Sequence, residues 1–158
     1  MKAKVIFLAL RVALLTILVW AASLTPTLAG GVVTNCSNDA QFSSLLAGGG
    51  TVTFNCSTAL IHLSSTKTIS VNTTIDGEGK ITLSGDNARR LFVVSSGVTL
   101  TLNNITLSNG YTASGNGGAI YNGSFGGDGG TLIINNSQLL NNTLGSSGFL
   151  PHLRQYSV

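Results

Sequence analysis

Short apolar and β-branched segments recur along most of this chain, separated by glycine and small polar residues. Alternation of apolar and polar positions over so few residues is typical of strands, and glycine, asparagine and serine between them are typical of turns. The pattern therefore predicts an all-β fold of many short strands. The predicted strands lie at residues 51–54, 68–72, 80–83, 91–94, 98–102, 105–107, 119–121 and 131–134.

One segment ahead of these strands has a helical pattern instead. Phe42, Leu45 and Leu46 fall on one face of a helix, and Ser37 or Asn38 can cap its first turn. Three consecutive glycines then end the helix. Because so short a helix cannot form a domain, we expect it to cover one open end of the strand region.

The strand segments also repeat. Residues 99–109 match residues 130–141 at a spacing of 32, and Phe92 falls on Ile120 at a spacing of 28. Looser spacings of 24 to 27 residues relate the earlier segments to these. Repeated strands with loops of variable length predict a right-handed parallel β-helix of about four coils over residues 51–145.

Pairs of asparagines lie at equivalent turns of this repeat, at residues 103–104, 135–136 and 141–142. Asparagine tolerates the left-handed backbone conformation of tight turns, and stacked asparagine amides can hydrogen-bond to one another along the axis. We therefore expect asparagine ladders. An antiparallel sandwich also has short strands and polar turns, but the repeated Thr-Leu-x-x-Asn-Asn block disfavours it.

The first residues have a different composition. Basic residues precede an apolar run at residues 12–22, and a short polar stretch with small side chains follows. This arrangement predicts a secretory signal peptide over residues 1–29, cleaved between Ala29 and Gly30. A retained anchor is the alternative, but eleven apolar residues span only about half of a bilayer core of roughly 30 Å.

Charge excludes one class of partner. The chain has 8 basic and 5 acidic residues, and the segment after residue 29 retains five of each. A neutral chain without clustered Lys and Arg lacks what binding to phosphate backbones requires, so we expect no nucleic-acid partner. We expect membrane contact only through the signal peptide or through an anchor further downstream.

Two cysteines, Cys36 and Cys56, follow the predicted cleavage site and are disulfide candidates in an oxidising compartment. Free buried thiols are the alternative. A zinc site is disfavoured because no second cysteine pair or neighbouring histidine completes a ligand set.

The run Gly117-Gly118-Ala119-Ile120 is similar to the tetrapeptide of the bacterial polymorphic outer membrane protein repeat, and residues 139–142 resemble a degenerate copy of its Phe-x-x-Asn element. The helix followed by residues 48–54 resembles exported β-helix proteins of the pectin-lyase-like fold. Together the resemblance covers about residues 33–145. It implies a β-helix at the cell surface or outer membrane, with surface glycans or host and envelope proteins as partners.

Enzymatic chemistry has weak candidates. Asp76 and Glu78 in an Asp-Gly-Glu-Gly turn, with Asp86 nearby in sequence, could be oxygen donors for calcium or an acid/base pair, but a solvated turn between strands is the favoured interpretation. Arg89 and Arg90 offer a lyase base or a carboxylate clamp, and an exposed corner is the plainer interpretation. We expect no catalytic residue, cofactor or metal.

Other candidates concern sugars and a lone histidine. Tyr111, Tyr121 and Phe125 lie in glycine-rich loops, where they can stack on sugar rings or pack into a coil. His62 lies between apolar neighbours, so alternation turns it outward, and the sequence identifies no partner for it.

The composition of the last residues, 146–158, differs from that of the repeats. They predict either a truncated or frame-shifted copy of a longer surface protein or an improvised lid. An uncovered stack end favours self-association.

Residues 30–50 form the expected cap. Three functions are open: a structural or adhesive, non-enzymatic exported module, a pectin-lyase-like polysaccharide lyase or hydrolase, and an N-terminal fragment with no independent role.

Overall fold

The computed structural model describes residues 30–123 and 128–145, which form a parallel β-helix of about four coils. The predicted architecture is thereby confirmed. The predictions for the signal peptide at residues 1–29, for Phe125 and for the tail at residues 146–158 lie outside the described residues.

The described residues contain twelve short strands and one helix, α1, at Ala40–Leu46. The strands are β1 (Gly30–Val33), β2 (Gly50–Phe54), β3 (Ala59–His62), β4 (Lys67–Ile69), β5 (Thr73–Ser84), β6 (Phe92–Val94), β7 (Thr99–Ser108), β8 (Tyr111–Thr112), β9 (Ile120–Asn122), β10 (Thr131–Asn135), β11 (Gln138–Leu140) and β12 (Thr143–Leu144).

All pairings between these strands are parallel, as expected when equivalent strands of successive coils stack. The largest sheet has the order β1-β2-β5-β7-β10, with β3 beside β5 and β11 beside β7. A second sheet has the order β4-β6-β9, and β8 pairs with β12 in a third. Parallel strands need long crossover connections, and in this fold each connection is the rest of a coil.

The observed register confirms the repeat spacings. Thr131 pairs with Thr99 at a separation of 32, and Phe92 pairs with Ile120 at 28. The spacing between β5 and β7 changes along the strand, because the register shifts between Asp76 and Ile81. Residues at this shift bulge out of the ladder, so equivalent positions are 27 residues apart before the shift and 24 after it.

Columns of inward-facing side chains form the core. Val52, Ile75 and Leu102 occupy equivalent positions in successive coils and are fully buried, and Ile134 extends the column in the next coil. Burial of such a side chain contributes about 1.5–3 kcal/mol. The alternation of buried and exposed positions along each strand thus builds a narrow apolar interior.

Some strands were not predicted from the sequence. β1 contains two glycines and lies within the segment assigned to the cap, although it pairs with β2 as an outermost rung. β3, β8, β11 and β12 are two to four residues long and follow irregular turns. Such strands form because a strand of the neighbouring coil offers backbone hydrogen-bond partners. The local sequence does not indicate that neighbour.

The predicted amphipathic helix is confirmed. Phe42 and Leu46 of α1 are buried, and the ring of Phe42 lies 5.6 Å from that of Phe54 in the first coils. Asp39 immediately precedes the helix but makes no side-chain capping bond. Instead the Oδ1 atom of Asn38, one of the two predicted caps, accepts a hydrogen bond from Ala40 N at 3.0 Å.

Cys36 and Cys56 form a disulfide, as predicted, with their Cα atoms 6.4 Å apart. The bond ties the segment before α1 to the segment after β2. Disulfides are typical of proteins outside the cytoplasm. Among the described residues, no helix combines the length and the apolar character needed to cross a bilayer.

One of the predicted asparagine ladders is observed, and another is not. Asn104 and Asn136 have positive φ angles of 50° and 48°, and the Nδ2 atom of Asn135 donates to Oδ1 of Asn103 at 2.9 Å. Asn142 makes no such ladder. Its side chain accepts from Gly110 N at 2.7 Å and donates to Leu107 O at 3.1 Å, because a backbone corner of the preceding coil lies within reach.

Candidate functional site

A polar cluster on the outer face of the largest sheet contains the histidine that sequence analysis left without a partner. Parallel pairing places His62 of β3 opposite Ser84 of β5, two residues before Asp86. His62 Nδ1 lies 2.6 Å from Asp86 Oδ1, which also accepts a hydrogen bond from Ser84 Oγ at 2.8 Å. The sequence identifies no partner for His62 because the partner, Asp86, lies on the next coil.

The electrostatics of this cluster keep the carboxylate ionised. The hydrogen bond with His62 lowers the pKa of Asp86 below its ordinary value of 3.8, partial burial opposes this, and Ser84 and the guanidinium of Arg89 lower it further. Asp86 thereby orients the imidazole, whose side chain is 59% exposed. Chemically, an oriented imidazole can exchange protons or contact an anion at the surface.

Arg89 and Arg90 connect neighbouring coils at one corner. Arg89 Nη1 donates to Leu63 O of the preceding coil at 2.5 Å, and Arg90 donates to the carbonyl oxygens of Gly117 and Asn116 at 2.7 and 2.6 Å. Both side chains are partly buried, next to the exposed residues 86–88 of the same corner. Carbonyl oxygens at the edge of a turn attract a guanidinium because they otherwise lack donors.

The Arg90 guanidinium also lies over the ring of Tyr121, with its Cζ atom 5.1 Å from the ring centre. That distance is within the range of a cation–π interaction. Tyr121 pairs with Val93 in the β6–β9 ladder, and Tyr111 pairs with Thr143 in the β8–β12 ladder. Both tyrosines are partly buried in coils, so each contributes to packing as well as to the surface.

Asp76 and Glu78 shape the turn in the middle of β5. Asp76 Oδ1 accepts hydrogen bonds from Glu78 N at 2.9 Å and from Asn104 Nδ2 at 3.1 Å. Glu78 has a positive φ angle of 51° and forms an exposed ion pair with Lys80 at 3.0 Å. The carboxylate of Asp76 thus holds its own turn and the equivalent turn of the next coil.

The four weak enzymatic candidates therefore divide into two places. Asp76 and Glu78 share one turn, whereas Asp86 and Arg89 share the corner after β5, with Arg89 Nη1 3.9 Å from Asp86 Oδ2. No hydrogen bond or ion pair among the described residues links the two pairs. Nor does the described part of the chain contain a group of three or more His, Cys, Asp or Glu side chains that could hold a metal ion.

Sequence analysis missed a buried ion pair beneath the capping helix. Lys67 occupies an inward position of β4, opposite Phe92 of β6, and its Nζ atom lies 2.5 Å from Asp39 Oδ2. Both side chains are more than nine-tenths buried. Asp39 Oδ2 also accepts hydrogen bonds from the backbone N and the Oγ of Ser64, at 2.8 and 3.0 Å.

Burial alone raises the pKa of Asp39, but the hydrogen bonds from Lys67 and Ser64 outweigh it and hold that pKa below 3.8. Both residues line an open cleft of about 540 Å³ between α1 and the turn before β4. Hydroxyl groups of serine and threonine line much of the rest. The one sequence signal for this pair is the repeat register. It aligns Lys67 with two apolar residues, Phe92 and Ile120.

The comparison with known proteins gives no match, whether with protein-family models, with curated proteins or with solved structures. The fold and the contacts above therefore carry the functional argument. On that ground the chain is a β-helix repeat module.

Proposed function

We propose that this chain is an exported, non-enzymatic β-helix module that acts through its elongated flank in adhesion or in contacts within the bacterial cell envelope. One observation carries the proposal: the charged side chains that would serve catalysis instead hold coils together. Arg89 and Arg90 bond to backbone carbonyls of adjacent coils, and Asp76 bonds across two turns.

Export is supported by the disulfide, because Cys36 and Cys56 remain bonded where the compartment is oxidising. The predicted signal peptide over residues 1–29 supports it independently. The similarity of residues 117–120 to the polymorphic outer membrane protein repeat supports a place at the cell surface or outer membrane.

A binding role is supported by the form of the fold. Stacked coils present flat sheets along the axis, and such repeat surfaces bind extended partners over several repeats. Surface glycans and envelope or host proteins are the partner classes that fit. The exposed imidazole of His62 and the partly buried tyrosines Tyr111 and Tyr121 lie on three different sheets, and they are the side chains best suited to contact sugars.

The test measures retention and cleavage together. Purified protein is incubated with immobilised acidic and neutral polysaccharides and with envelope extract, and bound protein and released sugar ends are quantified. We expect retention without cleavage. Cleavage that Asp76→Asn or Arg89→Gln abolishes, while the control Lys80→Gln preserves it, would contradict the proposal and favour the polysaccharide lyase or hydrolase. Absence of retention on every surface would contradict adhesion.

A further inference from the structure

The cleft between α1 and the turn before β4 has a size and a lining that suit a small polar ligand. Its volume of about 540 Å³ lies within the range of about 300–1,000 Å³ that is usual for ligand pockets. Hydrogen bonds from Ser64 to Asp39 join its two sides, so the cleft is formed before any ligand binds. Six of the residues that line it carry hydroxyl groups: Ser43, Ser64, Ser65, Thr66, Thr68 and Ser70.

The buried ion pair contributes to the same cleft. Asp39 and Lys67 both line it, although their side chains are only 8% and 7% exposed. The contacts of the Asp39 carboxylate with Lys67 and with Ser64 all involve Oδ2. Lys67 Nζ also donates to Ser65 Oγ at 3.2 Å, which uses a second of its three donors. Oδ1 of Asp39 and the third N–H of Lys67 are therefore left for a ligand.

The hydroxyl groups of the cleft offer both donors and acceptors. Thr68 and Ser70 are exposed, and neither hydroxyl makes a hydrogen bond to another described residue. Ser65 accepts from Lys67 and so keeps its own proton to donate, whereas Ser43 donates to a backbone carbonyl and keeps lone pairs that accept. A ligand with several hydroxyl groups matches this lining, because each of its hydroxyls can also donate and accept.

The charge and the apolar part of the lining narrow the class of ligand. All residues that line the cleft are described, and Asp39 and Lys67, which neutralise each other, are the only charged ones. The cleft therefore selects no net charge. Ala40, Leu46 and Ala47 of the helical side form an apolar wall. A neutral sugar combines these properties, since its ring has hydroxyl groups around the rim and C–H groups on its faces.

We propose that this cleft binds one neutral sugar unit of a glycan. Oδ1 of Asp39 accepts a hydrogen bond from one sugar hydroxyl, and Lys67 Nζ donates to a second. Thr68 and Ser70 bind further hydroxyls at the open side, while the C–H face of the ring lies against the apolar wall. The inference rests on the proposed adhesive function and deepens it, because it assigns the glycan a site that His62 and the tyrosines do not line.

The experiment follows the backbone amide signals of the nitrogen-labelled protein by NMR while one sugar at a time is added. The probes are glucose, galactose, mannose and N-acetylglucosamine, with glucuronate as the anionic comparison. We expect at least one neutral sugar to shift amides of residues 39–47 and 64–70 saturably. We expect glucuronate to bind no more tightly than glucose, because the cleft selects no net charge.

The double variant Thr68→Val with Ser70→Ala removes two hydroxyls from the cleft and keeps the β-branched shape in β4. We expect the dissociation constant for the sugar to rise about tenfold, as the loss of two hydrogen bonds predicts. Thr51→Val is the matched control, since Thr51 is an exposed strand threonine that does not line the cleft, and we expect no change. Circular dichroism checks that the strand content is kept.

If the double variant fails to fold, Ala47→Trp replaces it, because a large side chain there fills the cleft. Its control is Ser44→Trp, at an exposed position of α1 outside the lining. Saturable shifts with no neutral sugar, shifts confined to other residues, tighter binding of glucuronate, or equal weakening by a control variant would each overturn the proposal. Undiminished retention of the double variant on polysaccharide, without shifts in the cleft, would overturn this site and leave the adhesive function standing.

Discussion

At the residue scale, the buried pair of Asp39 and Lys67 joins the capping helix to the coils. Breaking a buried pair leaves one charge in the interior without its partner, which costs about 3–5 kcal/mol. We therefore expect Lys67→Met to lower the free energy of unfolding by about that amount. The control is Lys80→Met, which removes an exposed pair worth about 0–1 kcal/mol.

Urea unfolding followed by circular dichroism measures both variants. Similar losses in Lys67→Met and Lys80→Met would contradict a structural role for the buried pair. The comparison is direct because both substitutions remove a lysine ammonium and leave a carboxylate behind.

The same carboxylate predicts how stability depends on pH. The pKa of Asp39 is below 3.8 in the folded chain, so the folded state binds fewer protons than the unfolded state in the acidic range. The stabilisation is present above the ordinary value of 3.8 and is lost as the pH falls through the lower folded pKa. Asp86, whose pKa is also lowered, acts in the same direction.

Unfolding measured from neutral pH down to about pH 3 tests this dependence. We expect stability to fall with acidification in the wild type, and to fall less steeply in Lys67→Met, where Asp39 has lost its cation. Stability that rises as the pH falls would contradict a lowered pKa of Asp39 in the folded chain.

At the element scale, the two glycines of the Gly-Gly-Ala-Ile run are explained by contacts between coils. Gly117 has a φ angle of +72°. A Cβ atom on Gly118 would clash with the backbone carbonyl oxygen of Thr143 in β12. The motif therefore marks a corner where one coil passes directly beneath the next.

Gly118→Ala should displace β12 from β8 and lower the free energy of unfolding by about 1–3 kcal/mol. Gly123→Ala is the control, since its Cβ would have no neighbour nearer than 3.5 Å. Hydrogen exchange at the amide of Thr143, which donates to Gly110 O, reports on the displaced strand. Equal protection of that amide in the two variants would contradict the clash.

The elements also show what the sequence can predict. Strands at a constant spacing, such as β7 and β10 at 32 residues, follow from the repeat itself, because equivalent positions stack. The contacts of His62 with Asp86 and of Asp39 with Lys67 cross turns of irregular length. Their partners depend on how each corner folds, which no local pattern encodes.

At the scale of the whole molecule, the structure is a capped stack with one disulfide near its first coils. Within the described residues, the apolar columns run through the coils as far as Leu139 and Ile134, while α1 covers the other end. Under the proposed function, this module presents its flank to partners. Its proposed export is the claim on which the surface role depends.

The intact mass of the protein recovered outside the cytoplasm tests that claim most directly. The 158-residue chain is expressed in a bacterium, and the extracytoplasmic fraction is analysed with and without reduction. We predict a chain that begins at Gly30 and gains two hydrogens on reduction, as cleavage and the Cys36–Cys56 bond require. An uncleaved chain confined to the cytoplasm, with two free thiols, would contradict the account.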